Sequence, residues 1–284
     1  MAQPSKQLLT PAEHSRDSAG MRYVYPVVSR RAGGVSVGIN LNPNNACNWR
    51  CIYCQVPDLA RGGPPLLDGE LLSSELEQML TDILQGDFMA TRVPPEARQL
   101  MDLAISGNGE PTSAPEFLEA VTRIVAAMGR HGLEGRVPLR LISNGSLVER
   151  EGVQQGLKLM AAHGGEVWFK ADGASAERAA LINDTRITMD AVTRRLTLCA
   201  GLCPTWVQSC FFALDGLPPS DQDVADYVTW LGGFAGVICG VHLYGIARQS
   251  CQPEAVRLSP LPAEWFDALA AQLTRKGLTV KVSP

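Results

Sequence analysis

The stretch "VSVGINL" (residues 35–41) leads into "NACNWRCIYC" (45–54), and together they decide how the rest of the chain is read. The first alternates in the manner of a β-strand. The second carries Cys47, Cys51 and Cys54 at C-x3-C-x2-C spacing, with Tyr53 just before the last thiol. Thiolates are soft ligands, suited to zinc or to iron–sulfur clusters. A structural zinc site is closed by four ligands, often as two C-x2-C pairs. No histidine lies near this loop; the four present are His14, His131, His163 and His242. Three thiols around a cubane cluster would leave one iron open to a small molecule. An open iron–sulfur site is therefore the first reading, with zinc and unrelated buried thiols as the alternatives.

The bulk properties set bounds. With 284 residues the chain is long enough for one large domain or two small ones. A hydrophobic content of 45% and a charged content of 19% are ordinary for a globular protein. A net charge of -4 argues against a dominant electrostatic grip on nucleic acid. No run of about 18 apolar residues predicts a membrane span. The opening "MAQPSKQLLTPAEHSRDSAG" has no apolar signal-peptide core, so a cytoplasmic location is expected. In that compartment eight cysteines point to metal or redox chemistry before disulfides.

Outward from the cysteine loop, strands and helices alternate. Residues 1–32 show little periodicity and read as an arm. Strands are expected at 35–41, 100–106, 138–143, 166–172, 205–214 and 240–246, with a last one at 278–282. Helices are expected near 74–85, opened by a Ser74/Glu77 capping box, and after Ser113 with Glu116 as its capping partner. Others are expected near 149–162, after Ser220, and near 262–276. Such alternation indicates a mainly parallel sheet covered by helices. Six or seven units suit a complete or partial β/α barrel, and a doubly wound open sheet is the competing architecture.

The cysteine spacing, with Tyr53 before the third thiol, resembles the signature of the radical S-adenosylmethionine (radical SAM) superfamily. "SGNGEPT" (106–112) resembles its Gly-Gly-Glu segment, and "LISNGSL" (141–147) its third-strand polar segment. "VWFKADGAS" (167–175) is similar to the Lys-x-Asp strand of the wyosine-base (4-demethylwyosine) synthase-like branch. The likeness covers roughly residues 33–260. The chain departs from the archaeal members of that branch in having no cysteine before Cys47.

The resemblance implies an α/β fold, a partial parallel (β/α)6 barrel, with residues 1–32 as an arm and 33–284 as the core domain. It implies that Cys47, Cys51 and Cys54 hold a 4Fe-4S cluster whose free iron chelates SAM. Reductive cleavage then gives a 5'-deoxyadenosyl radical that abstracts hydrogen from substrate. It places the methionyl amino group against Gly107, Asn108 and Gly109, with Glu110 supporting the turn, and Tyr53 beside the cluster. Ser143 and Asn144, at the end of the third strand, are assigned to the SAM ribose. An electron donor such as flavodoxin or ferredoxin is implied as a partner.

Strand parity adds residues independently, because positions two apart share a face. Lys170 and Asp172 point together and are expected to line the pocket; a structural ion pair is the alternative. Gln208 with Cys210, and His242 with Tyr244, form further pairs, with His242 expected to be a packed histidine. Trp49 and Trp168 read as packing residues. Cys199, Cys203 and Cys210 occupy a helix end, a turn and a strand, which do not make one compact ligand loop. The branch resemblance points to a nucleobase in RNA as substrate, with Arg22, Arg30 and Arg31 as a basic edge. Two other readings stand beside it: an activating enzyme that places a radical on a partner protein, and a non-catalytic, metal-stabilised binding module.

Overall fold

The structure is a computed structural model that describes residues 8–10, 19–29 and 33–284. Its centre is a sheet of eight strands among the described residues: β1 (Val24–Ser29), β2 (Gly34–Ile39), β3 (Leu100–Ile105), β4 (Leu139–Ser143), β5 (Glu166–Lys170), β6 (Thr205–Cys210), β7 (Gly240–Tyr244) and β8 (Val280–Ser283). Their order in space is their order in sequence. β1 pairs antiparallel with β2, and every later neighbour pairs parallel. A doubly wound sheet reverses its strand order at a switch point. This one never reverses, so it curls in one sense into a half-barrel with β1 and β8 as its edges.

The helices that return the chain are α1 (Gly69–Gln85), α2 (Phe117–Arg130), α3 (Glu151–Ala162), α4 (Ala176–Asn183), α5 (Met189–Leu202), α6 (Asp221–Gly232) and α7 (Ala263–Arg275). In the outer layer α1 packs on α2, α2 on α3, α3 on α5 and α6 on α7.

The pleat explains why this sheet has two different faces. Val35, Val37, Ile39, Leu103, Ile105, Leu139, Leu141, Val207 and Val241 are all buried in the main core with the helices. The residues between them, Ser36, Asp102, Ala104, Arg140, Ile142, Trp168 and Lys170, line a cavity on the concave side. Fully burying a side chain such as Leu contributes roughly 1.5–3 kcal/mol, so the helix-facing set fixes the register. Leu103 is completely buried. Leu103→Ala is expected to lower stability by about 2–5 kcal/mol in urea unfolding, with little change at the cavity wall.

Several local expectations are corrected. The stretch read as an arm contains β1, so residues 24–29 belong to the sheet. Buried Glu75 of α1 accepts hydrogen bonds from the amides of Arg22 (2.7 Å), Tyr23 (2.8 Å) and Val24 (3.2 Å), which fastens the start of that strand. α1 begins at Gly69, capped by the Asp68 carboxylate on the Leu71 amide, and not at Ser74. Glu77 instead meets Arg130 and His131 of the neighbouring helix. Ser113 does not cap α2; its hydroxyl donates to the Glu110 carbonyl, and Glu116 makes no side-chain cap. The Ser220 cap is present, as a reciprocal box with Asp223. The strand read over 205–214 is broken into β6 and a two-residue piece at Ala213–Leu214 that pairs with Leu258–Ser259.

Candidate functional site

Because β2 to β8 are parallel, everything that follows their C-terminal ends collects at one rim. The cysteine loop leaves β2, the "GNGEP" turn leaves β3, Asn144 ends β4, Lys170 ends β5, Cys210 ends β6 and Tyr244 ends β7. These residues line one cavity of about 310 Å³, which continues down the concave face of the sheet. All three loop thiols, Cys47, Cys51 and Cys54, reach it.

The loop is held by its backbone. The Arg50 and Ile52 amides donate to the Asn183 and Ile182 carbonyls at the end of α4 (3.2 and 2.9 Å). The Cys54 carbonyl accepts from the Cys251 amide (2.8 Å) and, with that of Ile52, from the Ser250 hydroxyl. Arg50 clamps the outside, donating to both carboxylate oxygens of Glu254 (3.0 and 2.8 Å) and to Asp184 (3.2 Å). Arg50 holds the Glu254 carboxyl below its ordinary value, and Arg61, ahead of Arg50, does the same for Asp184. A lowered carboxylate value stabilises the fold above the unfolded value and loses that contribution as pH falls through the folded one. The expected result is slow amide exchange over residues 50–54 at neutral pH that quickens as the solution is taken below the usual carboxylate range. These pairs are partly exposed, so Arg50→Met is expected to cost no more than about 1 kcal/mol of global stability.

Behind the loop lies an asparagine network. Asn40 Oδ1 accepts from the amides of Asn42 (3.0 Å) and Asn108 (3.1 Å). Asn42 Nδ2 donates to the Ala46 carbonyl (2.9 Å), and Asn108 Nδ2 to Asn45 Oδ1 (2.6 Å). Asn144 Nδ2 donates to Asn48 Oδ1 (2.9 Å). The glycines of the turn serve this contact: a Cβ on Gly107 would stand 2.4 Å from Asn40 Oδ1, and one on Gly109 2.0 Å from the Ala46 carbonyl oxygen. Their lack of a side chain thus lets the turn close on the cysteine loop. Asn108 Oδ1 is buried with no hydrogen-bond partner among the described residues, in a side chain that lines the cavity.

Glu110 joins two strands. Its Oε1 accepts from the Thr112 amide (3.1 Å), the Thr112 hydroxyl (2.5 Å) and the Ser143 hydroxyl (2.7 Å); Oε2 accepts from the Asn144 amide (2.7 Å). Burial pushes this carboxyl up, against the pull of those donors. Ser143 is thereby turned toward Glu110, while Asn144 reaches the cavity wall.

Lys170 and Asp172 meet through a third residue. Tyr53 Oη donates to Asp172 Oδ2 (2.5 Å) and accepts from Lys170 Nζ (2.6 Å). Lys170 Nζ also donates to Tyr244 Oη (3.2 Å) and lies 4.9 Å from the Tyr53 ring centre. Asp172 is buried, and also accepts from the Asn183 side chain (2.8 Å) and the Cys210 amide (2.8 Å). Asn183 Nδ2 sits 3.3 Å from Cys51 Sγ, which links this network to the thiol loop. Burial opposes the Lys170 charge, but Tyr244, Asp172 and their neighbours outweigh it and raise its pKa well above the ordinary value. Burial, then Asp172, raises that of Tyr53. The arrangement is an ammonium and a carboxylate joined by a neutral phenol. Lys170 lines the cavity, whereas Asp172 stands one layer behind it.

Burial pushes the Cys47 thiol up to about 11 and Cys51 up to about 12. Such thiols stay protonated near neutral pH unless a cation displaces the proton. Among the described residues no group of three or more His, Cys, Asp or Glu side chains is arranged to hold a single metal ion. A cubane binds its thiolates at separate corners, and three thiols on one cavity wall are the donor set such a cluster would take.

Trp49 and Trp168, read as packing residues, are buried and also form part of the cavity wall. His242 is packed between the Trp168 and Trp206 rings, with centroids at 4.5 and 4.7 Å. Cys199 and Cys203 lie in the main core behind the sheet, whereas Cys210 faces the cavity. They are on opposite faces. Arg22 is exposed and stands 5.4 Å from the Tyr23 ring centre. Arg30 and Arg31 lie outside the described residues. No helix among the described residues is long and apolar enough to cross a membrane.

No protein-family model matches the chain. Two Helicobacter pylori proteins, from strains 26695 and J99 and each named UPF0026 protein, are 35% identical to it over 134 residues. The match takes in 47% of this chain and 38% of theirs, so the chain spans well under half the length of these relatives. Among solved structures, Streptococcus suis SuiB bound to S-adenosylmethionine aligns at a TM-score of 0.52 and 9% identity, over 87% of this chain and 45% of that one. anSMEcpe with bound AdoMet aligns at 0.54 and 17%, over 86% and 63%. The same protein with AdoMet and a Kp18Cys peptide aligns at 0.55 and 14%, over 86% and 63%. What these chains share with the present one is the fold, a mixed α/β half-barrel consistent with the radical SAM architecture.

Proposed function

We propose that this chain is a radical SAM enzyme of the partial (β/α)6 type, with residues 33–284 forming its core. The observation that carries the reading is the meeting, at one cavity rim, of Cys47, Cys51 and Cys54 with the Gly107–Asn108–Gly109 turn and the Lys170–Tyr53–Asp172 network. The three thiols would hold a 4Fe-4S cluster, which when bound supplies the electron that cleaves SAM and so the radical that takes hydrogen from substrate.

The protein's own contribution is position and exclusion of water. Asn108 Oδ1, buried and unpartnered among the described residues, would accept a hydrogen bond from an ammonium such as that of methionine. The Asn144 side chain offers a polar group to a ribose. Glu110 and Ser143 hold those two turns together. Lys170 sets the Tyr53 ring, and with it the last turn of the thiol loop. A reduced flavodoxin or ferredoxin in the cytoplasm is the electron source this reading calls for.

The Lys-x-Asp strand favours the wyosine-base synthase-like branch and hence an RNA nucleobase. A peptide substrate is the second reading, favoured by the peptide bound in a structure of the same fold. Anaerobic incubation of the reconstituted protein with SAM, dithionite and either total transfer RNA or a peptide library tests both. Substrate-dependent 5'-deoxyadenosine release with a mass change in the RNA supports the first, and with a mass change in the peptide the second. Release with neither sinks both substrate readings and leaves the cluster reading standing.

A further inference from the structure

Below the rim, the cavity ends in a polar ladder that none of the site residues above explains. On adjacent strands of the concave face, Ser36 Oγ donates to Asp102 Oδ1, Arg140 Nη1 donates to Asp102 Oδ2, and Arg140 Nε donates to Glu166 Oε1 (2.7 Å). Trp168 Nε1 donates to the same Glu166 oxygen (3.0 Å), and the Arg140 guanidinium lies 5.0 Å from the Trp168 ring centre. Asp102 is buried, with 3% of its surface exposed. A buried carboxylate such as Asp102, held by a partly exposed guanidinium, is a poor source of stability, since an apolar residue of similar volume does as well or better. Ser36, Asp102, Arg140 and Trp168 all line the cavity, beside Val27, Ala104 and Ile142.

We infer that this inner end is the subsite for the reacting part of the substrate, and that it takes a neutral, planar ring bearing an amide or lactam edge. The inference rests on the enzymatic reading above. Arg140 commits two of its five N–H groups to Asp102 and Glu166, which leaves donors on its terminal nitrogens. Each Asp102 oxygen accepts one bond and has a lone pair left. A fixed donor and a fixed acceptor therefore stand side by side, the complement of an amide's C=O and N–H. Two carboxylates against one guanidinium leave a net negative charge that repels a free carboxylate or phosphate, and an amidinium cation offers only donors, so it would leave the remaining Arg140 N–H groups without an acceptor. Valine, alanine, isoleucine and tryptophan walls suit the body of a ring.

The test uses four probes on the whole chain, purified anaerobically, with and without SAM: benzamide, uracil, benzoate and benzamidine. Binding is read by ligand-observed NMR titration, which needs neither turnover nor a loaded cluster. Iron content and SAM cleavage are measured on the same preparation, so failure of the subsite and failure of the cluster reading are told apart. Benzamide or uracil is expected to bind at least tenfold more tightly than benzoate and benzamidine. Whichever of the two binds better separates an open amide from a lactam ring. Asp102→Asn should lower the benzamide-to-benzoate affinity ratio at least tenfold, a change in selectivity that a merely structural role would not produce. Ile142→Phe, which fills the inner end while keeping every ladder residue, should abolish binding of both. Equal binding of the charged probes, no saturable binding of any probe, or an unchanged ratio in Asp102→Asn would overturn the inference. If Asp102→Asn does not fold, retained benzamide binding by folded Ile142→Phe overturns it instead.

Discussion

Replacing any one of Cys47, Cys51 and Cys54 with alanine is expected to remove the iron–sulfur chromophore and all SAM cleavage. The expectation follows from placement. The loop is anchored by backbone hydrogen bonds to α4 and to the segment around Ser250 and Cys251, so losing one thiol does not move the other two. Two thiols cannot substitute for three, because no other cysteine stands ready on the loop: Cys251 touches its backbone but is exposed, and its thiol meets the Gln55 carbonyl (3.4 Å). Cys210 shares the cavity yet belongs to the strand wall. Iron analysis and the visible spectrum of the three anaerobically purified variants check the result. Cys199→Ala is the control, since it lies in the core behind the sheet and should keep its iron. Full iron in all three loop variants would sink the assignment.

The second large effect is expected at Lys170. Its ammonium donates to Tyr53 and Tyr244, and Tyr53 in turn donates to Asp172. Lys170→Met removes the donor and leaves a phenol with one partner. Hydrogen bonds to charged groups are worth about 1.5–3 kcal/mol, so turnover should fall about 10- to 100-fold while iron content stays unchanged. Asp172→Asn should act in the same direction, because it weakens the acceptor that orients Tyr53. Tyr53→Phe should act in the same direction, and the double variant Lys170→Met with Tyr53→Phe should lose less than the sum of the two singles, since the two residues share one contact. A purely structural role predicts something else: a lower melting temperature in each variant, with normal turnover per folded molecule. Melting curves beside rate measurements separate the two.

Much of this architecture is legible from residue patterns, for identifiable reasons. The parallel strands announce themselves because each has an apolar, helix-facing set such as Val35, Val37 and Ile39. Parity alone pairs Lys170 with Asp172. It cannot supply Tyr53, the residue that joins them, because that contact spans 117 positions in sequence. The thiol loop shows its chemistry in its spacing. The asparagines that brace it, Asn40, Asn42, Asn45 and Asn48, are hard to read as a network because asparagine in a loop usually signals only a turn; their density in "INLNPNNACN" is the available signal. β1 was hidden by Pro26, which argues against a central strand but is compatible with an edge, where β1 lies. The start of α1 is disguised in the sequence because Ser74 and Glu77 imitate a capping box inside a helix that begins at Gly69, after the Asp68 cap.

The polar ladder on the concave face was legible only in part. Asp102 and Arg140 each interrupt an apolar strand, which marks them as unusual. Their meeting depends on the stagger between β3 and β4, where Arg140 stands opposite Ala104, and no local pattern encodes that register.

The most direct test is anaerobic reconstitution of the whole chain with iron and sulfide, followed by reduction in the presence of SAM. About four irons per chain, bound at the three loop thiols, are expected, with release of 5'-deoxyadenosine that disappears in Cys47→Ala. A chain that binds zinc or no metal, or that holds the cluster without ever cleaving SAM, would contradict the radical SAM reading.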